Sequence, residues 1–185
     1  MKIEINNTKL LFLYRTFLFR FTKFETDKDN MKEIVTALNI KNRKKRITYI
    51  FDEAIKVLNT YYSTDLCQFK DGKCIVQRKN NLNRNNGCCR LCPIVTDKGC
   101  PSVNITCKLI YCKTAIGNIK LLTLNDIKIL KCLSIMQRLT ILSDTFSTRE
   151  EVIKDLYYGP LYSIPRGLLK EIKHFFYRLK YNNKL

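Results

Sequence analysis

The clearest periodic signal in the chain is the apolar series Ile47, Ile50, Phe51, Ala54, Ile55, Leu58, Tyr61 and Tyr62, which falls on one face of a helix. A shorter stretch from about Lys32 to Leu38 carries the same period and predicts a helix capped by Asp29 or Asn30. In the second half, Thr123 and Asp126 stand at N-cap and N3 of an expected helix that runs to about Leu142. That segment is apolar on nearly every side, so Ile127, Leu130, Leu133, Met136 and Leu139 are expected at the centre of the core. Ser147-Thr148-Arg149-Glu150-Glu151 opens a further helix that stops before Gly159-Pro160. A last helix, starting near Ser163 and Pro165, is expected to bury Leu168, Leu169, Ile172, Phe175, Phe176 and Leu179.

Between these helical halves the periodicity disappears and cysteines take its place. Cys67, Cys74, Cys88, Cys89, Cys92, Cys100, Cys107 and Cys112 are eight of the nine in the chain. They are spaced C-x6-C-x13-C-C-x2-C-x7-C-x6-C-x4-C. Asp71-Gly72 signals a tight turn, which would set Cys67 and Cys74 at the two ends of a hairpin with converging thiols. Residues 79 to 87 are polar and Asn-rich and are expected to form a loop. Cys89 and Cys92 have the two-residue gap that lets both sulfurs face one ion, whereas the adjacent Cys88 points to a different site or to a shared cluster. Eight thiols complete two four-coordinate sites. Cys132 lies apart within an apolar run and reads as a core residue.

The fold class expected is mainly α: a helical body with a small cysteine-rich, loop-dominated metal-binding insert. The boundaries are an N-terminal extension over 1–30, N-terminal helices over 31–66, the metal-binding module over 67–120, and C-terminal helices over 121–185 that pack with 31–66. Met31 is a second possible start.

Composition decides how the cysteines are read. No stretch of about eighteen residues is free of charge, so no transmembrane helix is expected. The first apolar run is cut by Arg15 and Arg20, which argues against a signal peptide. The expected location is therefore the cytoplasm, where a cysteine cluster binds metal rather than forming disulfides, and the odd total of nine agrees. Zinc in all-cysteine sites is the first reading, and an iron–sulfur cluster with a redox or sensing role is the alternative.

The net charge is +18. Within 67–120, ten Lys and Arg accompany two Asp, so part of the excess offsets the negative charge of metal-bound thiolates. The rest points to an anionic partner, nucleic acid or another macromolecule, with Lys41, Arg43, Lys44, Lys45 and Arg46 as the densest candidate contacts. The single histidine, His174, is far in sequence from the cysteines, carboxylates are sparse in the module, and no phosphate-binding glycine loop is present. No catalytic residue and no small-molecule substrate are inferred, and a non-enzymatic role is expected.

The elements C-x-F-x-x-G-K-C-x-x-x-R (Cys67 to Arg78), GCCR (Gly87 to Arg90) and CKLIYC (Cys107 to Cys112), with the lead-in MKEIVTALNIKNRKKR, give the chain a resemblance to a group of small bacterial cysteine-cluster proteins. It covers about residues 31 to 155. The resemblance implies that the cluster is a shared feature; it implies no activity, cofactor or partner.

Overall fold

The computed structural model describes residues 2–9, 11, 21–62, 66–81, 104–111, 113–144 and 147–182. Within them the chain is mainly helical, and none of the helices is long and apolar enough to cross a membrane. Two short strands, β1 (Lys2–Glu4) and β2 (Lys23–Glu25), pair in parallel with Ile3 opposite Phe24. A 3-10 turn at Asp29–Met31 leads into α1 (Lys32–Asn39), and α2 follows (Arg43–Tyr62). Neither Asp29 nor Asn30 caps α1, because both are already wound into the preceding turn and Met31 occupies the N-cap.

The α2 stripe is buried as its spacing requires. Ile47, Ile50, Phe51, Ala54, Ile55, Leu58 and Tyr62 all face the core, and only Tyr61 at the edge of the arc remains exposed. The helix starts at a side-chain cap, with Asn42 Oδ1 accepting the Lys45 amide at 3.0 Å. Against this face lie α1, the 3-10 segment Lys128–Cys132 and α7 (Arg149–Tyr158). Ile5, Leu11 and Phe24 join the same core from the N-terminal segment. Asn39 fixes the edge of β2 there: its side chain accepts the Phe24 amide at 2.9 Å and donates to the Phe24 carbonyl at 2.8 Å.

Two sequence expectations fail in the C-terminal half, each for a local reason. The stretch from Thr123 to Leu142 is not one helix. Asp126 Oδ2 accepts from the Thr123 amide and hydroxyl at 2.7 and 2.8 Å, but these bonds close a turn. The chain then forms the 3-10 segment, breaks at Leu133, and restarts as α6 (Ile135–Ser143) behind a Ser134–Gln137 capping box. The break rotates the apolar series: Ile127, Leu130 and Leu133 are buried, whereas Met136 and Leu139 are half exposed. Cys132 is buried in the core, and Thr148 caps α7 through Glu151.

The second failure is the last helix, α8. It spans Pro160–Asn182, starting as soon as Gly159, at φ 83°, ends α7 and frees Pro160 for the first helical position. Leu168, Leu169, Ile172, Phe175, Phe176 and Leu179 are not buried. Each is at least 45% exposed, and Phe176 reaches 63%. The helix docks instead through its charged side.

Candidate metal centre

The module is hung on the helical body by its two ends. Tyr61 at the end of α2 donates its hydroxyl to the Lys120 carbonyl at 3.1 Å, and the neighbouring Tyr62 hydroxyl accepts the Leu122 amide at 3.0 Å. These bonds bring the entry and exit of the 67–120 stretch together. Tyr62 also meets Tyr111 edge to face, with ring centroids 5.2 Å apart, which ties the CKLIYC segment to the same point.

Asn104, itself buried, is a second anchor. Its side-chain amide donates to the carbonyls of Asp144 and Ser147 at 2.8 and 3.1 Å, and its oxygen accepts the Thr106 amide at 2.9 Å, capping α4 (Ile105–Leu109). The start of α4 is therefore fixed to the chain that follows the C-terminal end of α6.

The hairpin expected from Asp71-Gly72 is present. Asp71 and Gly72 have φ of 51° and 72°, the left-handed pair of a type I′ turn, and Lys70 and Lys73 exchange both backbone hydrogen bonds at 3.0 Å. Cys67 and Cys74 stand three residues before and one after this pair. The Ile75 amide donates to the Cys67 carbonyl at 2.8 Å, holding the two cysteine backbones side by side. Gln68 also adopts positive φ, 46°, a sharp bend next to Cys67.

Cys74 is the N-cap of α3 (Ile75–Lys79) and closes a capping box. The buried Gln77 side chain accepts the Cys74 amide at 2.8 Å, while the Cys74 side chain takes the Gln77 amide. α3 in turn packs on α5 (Lys113–Ile116), which begins one residue after Cys112, so the topology returns the end of the module to its hairpin. Cys107 lies on α4 and is half buried.

Cys88, Cys89, Cys92, Cys100 and Cys112 lie outside the described residues. Among the described residues, no three His, Cys, Asp or Glu side chains form a group that would hold a metal ion. What the structure places directly is the backbone juxtaposition of Cys67 and Cys74 at the hairpin, and the packing of α3 against α5.

The basic run is partly absorbed by the fold. Lys41 donates to the Thr22 carbonyl at 2.8 Å, Arg46 donates to the Ile40 carbonyl at 2.9 Å, and the Arg43 guanidinium lies over the Tyr157 ring at 5.3 Å. Lys44 and Lys45 are exposed at the start of α2.

Sequence reading missed the polar anchors. Arg149 meets Asp52 of α2 through two bonds of 2.7 and 2.6 Å, a fork that links α7 to α2 and raises the Arg149 pKa. Arg166 and Lys170 of α8 reach buried Asp144 and Asp155. Arg166 binds Asp155 Oδ1 at 2.9 Å and Asp144 Oδ2 at 3.0 Å, and Lys170 lies 3.3 Å from Asp144. Ser147 bridges Lys170 to Asp144. Partners so distant in sequence leave no periodic signature.

No protein-family model, curated protein or solved structure matches the chain. Its own residues and geometry carry the functional reading.

Proposed function

We propose that this is an intracellular metal-binding protein in which all-cysteine zinc sites fold the 67–120 module, and whose basic surfaces meet nucleic acid or another anionic macromolecule. The observation that carries the proposal is the Cys67–Cys74 hairpin. A type I′ turn, a cross-strand bond beside Cys67 and an N–H donated to Cys74 together hold two cysteines on one short arm. Such arms are half of a closed tetrahedral zinc site.

The energetics agree with a folding role. The turn chemistry fixes only the hairpin, and zinc contributes roughly 10 kcal/mol or more per structural site, enough to order a stretch with little apolar core of its own. The surrounding Lys70, Lys73, Arg78 and Lys108 supply charge to offset a four-thiolate site, whose net charge with zinc is negative.

The second reading is an iron–sulfur protein with a redox or sensing role, favoured by the adjacency of Cys88 and Cys89 and the irregular gaps in the series. The resemblance to bacterial cysteine-cluster proteins is compatible with either metal.

Elemental analysis of the wild type and of three variants tests the proposal. Cys67→Ser and Cys74→Ser should each lose about one metal ion per chain, whereas Cys132→Ser should retain the full complement. Equal loss in all three variants would place Cys132 among the ligands and reject the assignment.

A further inference from the structure

Helix α8 is mounted the wrong way round for a helix that belongs to a monomer core. Arg166 and Lys170 on one side hold Asp144 and Asp155 from α6–α7, and Arg166 also lies 3.3 Å from Glu151. Because the charged side is inward, the opposite side, with Leu168, Leu169, Ile172, Phe175, Phe176 and Leu179, is presented outward. The residues recur at successive intervals of one and three, which spreads them over an arc of roughly 120° at 100° per residue. An apolar face of that size on a helix of about 34 Å requires an occupant.

The charge around the face selects among occupants. From residue 171 onward the sequence carries Lys173, Arg178, Lys180 and Lys184 against Glu171 alone. Lys173 is exposed beside the apolar arc. Pairing α8 with α8 of a second copy would set these cations against each other in a chain that already carries +18, and one glutamate per helix does not compensate. A surface rich in phosphate headgroups meets both requirements at once: acyl chains take the leucine and phenylalanine side chains, and headgroups take the lysines.

We propose that α8 is an interfacial helix that docks the protein, lying flat, on an anionic lipid bilayer. This names one anionic partner within the reading given above and rests on its charged-surface half, not on the metal. The polar side of α8 is already neutralised by the acidic residues of α6–α7, so the helix delivers its apolar face as a rigid plate instead of folding on contact.

The test is flotation of the full-length, metal-loaded protein with vesicles of phosphatidylcholine alone or with about one-third phosphatidylglycerol. The wild type should float with the anionic vesicles, bind the neutral ones at least tenfold more weakly, and lose binding as salt is raised. The double variant Phe175→Ser, Phe176→Ser should lose binding at least tenfold with metal content and circular dichroism unchanged, and Lys173→Glu should lose it severalfold. Absence of vesicle binding overturns the proposal. If the wild type then sediments as a dimer that the Phe175, Phe176 variant dissociates, the occupant is a second copy. If it binds DNA or RNA but no vesicle, the charged-surface reading stands while the lipid assignment fails.

Discussion

Helices α2 and α8 are the two longest among the described residues, each is amphipathic, and their fates are opposite. α2 buries its stripe apart from Tyr61 at the edge, Phe51 and Leu58 being fully enclosed, whereas α8 leaves Phe175 and Phe176 more than half exposed. The difference lies in which side finds a partner within the chain. α2 meets apolar surfaces from α1, the 128–132 segment and α7, while polar side chains act at its margins, in the Asn42 cap and in the Asp52–Arg149 fork. α8 meets a buried acidic pair first, and two basic side chains one turn apart satisfy it. A hydrophobic stripe states that a face must be covered; the polar groups across the helix decide by what.

The comparison can be broken most severely at Phe51. Phe51→Ala should cost about 3–5 kcal/mol by leaving a cavity in the core, whereas Phe176→Ala should change stability by less than about 0.5 kcal/mol. Urea unfolding of the metal-loaded protein measures both, and similar losses would mean that α8 is buried in solution. Next is Arg166→Ala, which strands the Asp155 carboxylate and leaves Asp144 to Lys170 and Ser147 alone, the two acidic side chains being only 2% and 6% exposed. A loss of about 3–5 kcal/mol is expected, with faster amide exchange in α8 but not in α2. Unchanged exchange in α8 would show that other contacts hold it.

A smaller effect is expected at the equivalent bond on the α2 side. Arg149 and Asp52 are each about a third or more exposed, so Arg149→Ala should cost only about 1 kcal/mol in spite of the two-pronged geometry. The smallest effect concerns pH. Hydrogen bonds from Lys2, then Lys23, hold the Glu25 carboxyl below its ordinary pKa. A lowered folded-state pKa stabilises the fold above the unfolded value, and the contribution is lost as pH falls through the folded value. Glu25→Gln should therefore be slightly less stable than the wild type at neutral pH and equal to it in acid. A difference that persists in acid would assign the effect to packing.

These contrasts also explain what was legible in the chain. The α2 stripe and the 71–72 turn follow from local rules, a 3.6-residue period and a residue pair that accepts positive φ. The Ser134–Gln137 box was equally local, yet the continuous apolar run around it masked the break. The exposed face of α8 was not legible, because its cause, the contact of Arg166 and Lys170 with residues up to 26 positions earlier, is set by tertiary placement. The same holds for Asn104, whose partners lie 40 and 43 residues away. For the proposed metal centre, spacing offers eight candidate cysteines, the hairpin shows how the backbones of the first two are aligned, and their grouping with the remaining six is a matter of tertiary placement as well.

The central claim, that cysteine sulfurs alone hold the metal which folds the module, is tested most directly by X-ray absorption at the zinc and iron edges of anaerobically purified protein. The account predicts a zinc edge with sulfur as the only scatterer, near 2.3 Å and about four per ion. An iron edge with a short iron–iron distance would transfer the site to a cluster. No metal, or a zinc shell containing nitrogen or oxygen, would contradict the all-cysteine assignment outright.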